Sequence, residues 1–298
     1  MPDKRSINKN WGFIKEIVPE MLVSDRSKLA WEQVSLPHTW NYDDVVDEKP
    51  GYYRGTTWYR KNLPVDESMR DKEIYLYFEG VNQVAEVFVN GKSAGTHTGG
   101  YTGFSINISD LLLFTSEEKI SNEILVKVDN SHNENIPPLS ADFTFYGGIY
   151  RDVHLITLSE THFSYDKYGA REVFITTPEV SRKKAIINVR GSLSNTGESK
   201  KKIEVITRIY NKNGETEYTI ESKHNLNGNL SVEFEHNFNE FEDPMLWSAD
   251  NPYLYKVVSE IKESKTGKIL DRIVNPLGLR FFRFDADSGF YLNGEHVK

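Results

Sequence analysis

Two carboxyl groups about 5–10 Å apart are the minimum equipment for cleaving a glycosidic bond. With 44 Asp and Glu in 298 residues, some pair is always at hand, so the count selects none. Glu123 follows Asn122 at a strand start and Glu240 follows Asn239 in a loop; both read as structural or solvated side chains. The eight histidines are His38, His97, His132, His154, His162, His224, His236 and His296. None stands at a metal-ligand spacing such as a pair four apart on a helix. Neither a Gly-x-Ser-x-Gly elbow nor a phosphate or dinucleotide loop occurs, because Gly99-Gly100 and Gly147-Gly148 sit in turns and open no helix. Cysteine is absent, which excludes disulfides, thiolate nucleophiles and thiolate metal sites. The motifs therefore yield no catalytic residue, no metal site and no cofactor.

The aromatic loops offer more. Trp40, Tyr52, Tyr53, Tyr101, Phe143, Phe145 and Tyr146 fall in or beside loops. An aromatic face can stack on the C–H side of a pyranose while nearby polar groups orient its hydroxyls. The plainer alternative is that these rings plug the ends of a sandwich. Asp142 follows Pro137-Pro138-Leu139-Ser140-Ala141 and stands just before Phe143 and Phe145. A carboxylate there could accept hydrogen bonds from two sugar hydroxyls, or simply cap a turn.

The elements that must hold these loops are strands. Ile74, Leu76 and Phe78 alternate with Tyr75, Tyr77 and Glu79, and Ile124, Val126 and Val128 alternate with Leu125 and Lys127. In the second half Ile187 and Val189 share a face, as do Ile203, Val205, Thr207 and Ile209, and then Tyr253, Tyr255, Val257 and Ile261. Asn90-Gly91, Lys212-Asn213-Gly214, Asn227-Gly228, Thr266-Gly267 and Asn293-Gly294 mark turns. Helical signal is thin: residues 20–33 could hold one turn or two. Lys200-Lys201-Lys202 reads as a solvated loop. The fold class is all-β, built of sandwiches.

Composition narrows the function classes. A formal charge of −8 argues against a nucleic-acid partner, and no apolar run approaches the ~18 residues of a spanning helix, so no membrane partner is expected. Aromatic residues make up 12% of the chain, which suits sheets and carbohydrate contact. The basic residues near Met1 have no apolar run behind them, so the sequence as given shows no signal peptide; a trimmed one would look the same, and the compartment stays open. The polar stretch Thr161–Gly169 breaks the alternation, and a second break falls near 283–286. The last residues read as a strand, a tight turn and half of another strand, which we take as a truncation inside a hairpin.

Several segments together resemble the N-terminal part of glycoside hydrolase family 2, the β-galactosidase, β-glucuronidase and β-mannosidase group. They are Leu36-Pro37-His38-Thr39-Trp40-Asn41, Tyr53-Arg54-Gly55-Thr56-Thr57-Trp58-Tyr59-Arg60-Lys61, Phe78-Glu79-Gly80-Val81 and Ala85-Glu86-Val87-Phe88-Val89-Asn90-Gly91. Further on come Gly99-Gly100-Tyr101-Thr102-Gly103-Phe104, Val128-Asp129-Asn130 and Phe145-Tyr146-Gly147-Gly148-Ile149-Tyr150-Arg151-Asp152-Val153. Leu246-Trp247-Ser248-Ala249-Asp250-Asn251-Pro252-Tyr253-Leu254-Tyr255, Gly278-Leu279-Arg280 and Phe290-Tyr291-Leu292-Asn293-Gly294 complete the set.

The resemblance implies a jelly-roll, galactose-binding-like sandwich over 1–158, an immunoglobulin-like sandwich over 159–283, and over 284–298 the lead-in to a (β/α) barrel. In the family both catalytic glutamates sit on that barrel, so none maps here and this chain alone would be inactive. The parent would be a retaining β-glycosidase, a β-galactosidase by preference, using a covalent glycosyl-enzyme. The jelly roll would supply loops to a carbohydrate site shared with the barrel. Asp142 is its first substrate-binding candidate, and Tyr53 and Arg54 are the second. Arg151 and Asp152 are expected to form a strand-end ion pair. Two other readings stand beside this one: a free-standing lectin or adhesin, and an assembly module that pairs subunits as a homo-oligomer.

Overall fold

The computed structural model describes residues 3–15, 29–44, 46, 51–114, 120–140, 142–165 and 169–297. The chain divides into two compact units, one formed essentially by Asp3–Leu158 and the other by the residues from Ser159 on.

The first unit contains β1 (Asp3–Ser6), β2 (Trp11–Ile14), β3 (Glu32–Val34), β4 (Thr56–Val65), β5 (Glu73–Phe78), β6 (Val84–Val89), β7 (Lys92–Thr98), β8 (Phe104–Asn107), β9 (Ile120–Asp129) and β10 (Val153–Leu158). They form a four-stranded sheet, β1-β10-β5-β8, and a six-stranded sheet, β3-β2-β4-β9-β6-β7, with antiparallel pairing throughout. This is the jelly roll. The alternation that predicted the strands is also what builds its core. Ile74, Leu76 and Phe78 of β5, Val87 and Val89 of β6, and Ile124, Val126 and Val128 of β9 are all fully buried. They pack with Trp11, Tyr59 and Leu155 in one apolar cluster. At Asn90-Gly91 both residues take positive φ, 50° and 78°, which turns β6 into β7.

The second unit contains β11 (Thr161–Phe163), β12 (Val173–Val180), β13 (Lys184–Asn195), β14 (Lys201–Tyr210), β15 (Thr216–Leu226), β16 (Leu230–Glu242), β17 (Tyr255–Glu263), β18 (Ile269–Leu277), β19 (Phe282–Asp285), β20 (Gly289–Leu292) and β21 (Glu295–Val297). One sheet centres on β13, which pairs with β11, β12 and β16; the other runs β15-β14-β17-β18. Their inner faces meet through Phe163, Ile187, Val189, Val205, Ile209, Phe234, Phe238, Val257 and Ile261, giving an immunoglobulin-like sandwich. Strands β19 to β21 form a small sheet of their own. Arg182 ties it down by donating to Asn293 O (3.0 Å) and Glu295 Oε1 (2.9 Å).

Three local expectations change. Of the stretch considered for a helical turn, 20–28 lies outside the described residues, while Glu32–Val34 is an edge strand paired with Trp11–Phe13. The backbone there is held by β2, and edge pairing outweighs a weak helical pattern. The turn expected at Asn227-Gly228 takes its positive φ one residue later, at Asn229. Glu295–Val297 is not an unpaired half-strand, because it pairs with Phe290–Leu292. Among the described residues no helix is long and apolar enough to cross a membrane.

Candidate functional site

The loops at one end of the jelly roll are bound to one another by buried polar side chains. Asn41, fully buried, is the centre. Its Oδ1 accepts from Gly147 N–H (2.7 Å), while its Nδ2 donates to Asp44 Oδ2 (2.7 Å) and to Tyr53 O (2.9 Å). Asp44 Oδ2 also accepts from Tyr53 N–H (2.8 Å). Asn130, just past the end of β9, repeats the device. Its Oδ1 accepts from Gly55 N–H (2.8 Å), its Nδ2 donates to Phe145 O (3.3 Å), and its carbonyl accepts from Arg54 Nε (2.8 Å). Asn82 Nδ2 donates to Tyr146 O (2.8 Å). Buried amides that satisfy several backbone groups at once fix a loop far more firmly than contacts among exposed side chains do.

The glycine pair completes the lock. A Cβ on Gly147 would lie 2.0 Å from Trp40 Cζ2 and 2.6 Å from Asn130 Nδ2. Gly148 has φ +123°, and a Cβ there would meet His38 O at 2.5 Å. Only glycine lets this strand of loop pass so close to the Trp40 loop. Beneath it, His38 Nδ1 and the Tyr59 hydroxyl are 2.8 Å apart. Burial lowers the His38 pKa and raises that of Tyr59, so the pair is a neutral imidazole and a protonated phenol.

What this frame presents outward is aromatic and acidic. Asp142 is exposed, Phe143 is 56% exposed and Tyr146 is 42% exposed, while Phe145 is buried beneath them, edge-on to Phe143 at 5.3 Å. Trp40 is buried and belongs to the core. Tyr52 sits near the tip, its hydroxyl accepting from Phe145 N–H (3.4 Å). Tyr53 packs on the core, and its hydroxyl donates to Lys15 O or Thr56 O (3.1 and 3.2 Å). The Arg54 guanidinium lies 5.4 Å from the Phe145 ring centre. Tyr53 and Arg54 thus reach inward to the loops, whereas Asp142 reaches out. Tyr101, in another loop, is exposed.

Arg151 and Asp152 take separate partners instead of forming the expected ion pair. Arg151 lies over the Tyr150 ring (5.5 Å), and Asp152 Oδ1 accepts from Asn8 Nδ2 (2.9 Å). Both precede β10, where Arg151 folds back over its neighbour's ring and Asp152 is taken up by Asn8. Asp152 falls instead beside Glu79 and His154, with one ligand-type atom of each within 4.8 Å. His154 Nε2 is 2.9 Å from Glu79 Oε1, and Lys4 Nζ is 3.8 Å from the same oxygen. Glu79 thus meets Lys4 and His154, while Asp152 is held by the Asn8 amide. Glu123 is paired with Arg60 at 2.8 Å, and Glu240 is exposed; Glu240 stands within strand β16 and not in the expected loop, because the antiparallel pairing of β16 with β13 runs on past it to Glu242.

Sequence reasoning named the motifs but gave no role to Asn41, Asp44 or Asn130. The available signal was the presence of short polar residues inside otherwise aromatic, glycine-containing motifs.

The chain matches two family models: "Glycosyl hydrolases family 2, sugar binding domain" over residues 18–159, and "Glycosyl hydrolases family 2" over 171–280. A β-glucuronidase of Bacteroides fragilis is 34% identical over 98% of the chain and 40% of its own length. A β-galactosidase of Thermoanaerobacter pseudethanolicus is 32% identical over 99% of the chain and 38% of its own length. The crystal structure of a Bacteroides uniformis β-glucuronidase superposes with a TM-score of 0.93 at 36% identity, covering all of this chain and 35% of that one. The chain spans about a third to two fifths of the length of the curated relatives it matches.

Proposed function

The chain belongs to the glycosyl hydrolases of family 2, and from that premise we propose that it is the non-catalytic N-terminal portion of a retaining β-glycosidase. Its two sandwiches support a catalytic barrel that carries both glutamates of the double displacement. The jelly roll lends that barrel one wall of its sugar pocket. The observation that carries this reading is the locked loop end, a frame of Asn41, Asn130 and Gly147 that anchors the loop in which exposed Asp142 precedes Phe143 and Phe145.

In this reading Asp142 accepts hydrogen bonds from sugar hydroxyls, and Tyr53 and Arg54 act as positioning residues beneath it. The sugar is a β-galactoside or a β-glucuronide. The sequence favoured the first, and the relatives' names are divided between the two. A half-built pocket buries little ligand, so the chain by itself hydrolyses neither.

Steady-state kinetics of the full-length enzyme on p-nitrophenyl β-galactoside and β-glucuronide tests the proposal. Replacing Asp142 with Ala lowers kcat/KM on the better substrate by roughly 10–100-fold, the worth of one or two charged hydrogen bonds. The unfolding midpoint stays put, because the side chain is exposed. Unchanged kinetics would remove Asp142 from the pocket. Turnover by the isolated chain would overturn the non-catalytic assignment, and tight sugar binding by it would favour the lectin reading.

A further inference from the structure

The last sheet of the second unit has two faces of opposite character. In an antiparallel pair, directly opposed residues share a face and neighbours along a strand alternate. The register sets Phe282 opposite Leu292 and Phe284 opposite Phe290, and Phe290 in turn faces Val297. These five side chains therefore lie on one side. Their rings touch accordingly: Phe284 is 5.1 Å from Phe290 and 5.8 Å from Phe282, centre to centre. The other side is polar and closed on itself. Arg283 lies 4.2 Å from the Tyr291 ring centre and pairs with Asp285 (2.9 Å), and His296 stands 5.2 Å from the same ring.

The apolar side is the one left open. Phe284 is 75% exposed, Phe282 61% and Val297 44%. Among the described residues none of the five joins the apolar core of the second unit. An antiparallel sheet can leave its polar side in water, but its apolar side packs on a neighbour. Here the sheet is held firmly while that side stays free. At the β20–β21 turn Asn293 Oδ1 accepts from Phe281 N–H (3.2 Å) and Nδ2 donates to Trp247 O (2.9 Å), beside the Arg182 contacts described above.

The chemistry of the face selects its partner. The five side chains offer no polar group to orient a sugar's hydroxyls and no cation for a lipid headgroup. Glu295, in register with Leu292, is already paired with Arg182. A protein surface remains. The exposed rings amount to roughly 300 Å², enough to mark an interaction face. A free-standing pair of chains needs about 800 Å² per partner, so a second copy is poorly served. A tethered domain needs far less, because the tether keeps it at high local concentration. The inference from here rests on the reading above, in which a catalytic barrel follows these sandwiches. The polypeptide then reaches that barrel from β21, whose Val297 forms the rim of the face.

We propose that the phenylalanine face of β19–β21 is the seat on which the catalytic barrel of the same polypeptide docks.

The chain contains no cysteine, so an introduced thiol reports on its own site. Phe284→Cys is labelled with a maleimide in this chain and in the full-length enzyme, and the labelled peptide is followed by mass spectrometry. The thiol reacts freely in the chain and at least about tenfold more slowly in the full-length enzyme, because a covered thiol reacts only when its cover opens. Val297→Cys, which leaves all three rings in place, behaves the same way. His296→Cys, on the polar side, is labelled at similar rates in both. Equal rates for Phe284→Cys and Val297→Cys in the two proteins would overturn the proposal. So would equal protection of His296→Cys, which would mean that the sheet is shielded as a whole. Protection in the chain alone that grows with its concentration would give the face to a second copy and overturn it too. The non-catalytic reading is judged separately, by turnover of the isolated chain, so either can fail while the other stands.

Discussion

Both units are two-sheet sandwiches, yet they put their buried polar groups in different places. The first places them where strands meet loops, Asn41, Asn130 and Asn82 at one end and Asn122 near the start of β9, and each amide holds a loop. The second places them in mid-sheet. There His236 is hydrogen-bonded to Thr207 Oγ1 (2.8 Å) and Ser222 Oγ (2.9 Å), and Ser222 continues to His224 (2.7 Å). Asp271, fully buried, is ion-paired with Arg171 and accepts from Phe163 N–H (2.8 Å). End-of-sheet polar groups aim something outward; mid-sheet ones can only choose how the sheets register. This difference sits with the reading proposed above, in which the first unit presents loops and the second is scaffold.

Breaking the mid-sheet network should be the costlier insult to stability. Asp271→Ala leaves the Arg171 guanidinium buried without its partner and should destabilise by about 4 kcal/mol in urea unfolding, whereas Arg171→Met with Asp271→Leu should recover most of the loss. If the single change costs under about 1 kcal/mol, the pair is not a determinant of the second fold.

Gly147→Ala probes the other end. The methyl group has nowhere to go, so we expect a cost of about 3 kcal/mol and a loss of sugar handling in the full-length enzyme. A variant that melts normally and retains activity would show that the loop frame tolerates relaxation, and the contrast between the units would weaken.

Acid titration sharpens the comparison at smaller scale. Burial, aided by the charge of His224, lowers the His236 pKa from 6.5 to about 4. The folded form therefore keeps this imidazole neutral while the unfolded chain protonates it. Its stabilising effect is complete above pH 6.5 and is lost progressively as the pH falls from 6.5 toward 4, by on the order of 2 kcal/mol. Unfolding curves of the native chain and of His236→Gln across that window should converge in slope only if another group dominates.

The strands were legible because their signal is local. Ile74, Leu76 and Phe78 announce a face within five residues, and Asn90-Gly91 announces its turn in two. The frame was not legible because its partners are remote. Asn41 meets Gly147 across 106 positions, and His236 meets Thr207 across 29. Thr207 sat unremarked in an apolar series, since nothing nearby in sequence hints that an imidazole will satisfy its hydroxyl. Asp142 was found by its surroundings in the chain, two prolines behind and aromatic rings ahead, which is why a solvent-facing carboxylate was more readable than the buried amides that aim its loop.

The lock at the loop end also bears on how such a protein changes over generations. Asn130 is clamped to Arg54 and Gly55, and Phe145, Tyr146 and Gly147 are clamped to Asn130, Asn82 and Asn41, so residues 131–140 and 142–144 run between two fixed posts. Insertions, deletions or new side chains between those posts leave the sheets untouched. The segment can be exchanged like a cassette, its exposed side chains rewritten while every strand of the jelly roll stays as it was.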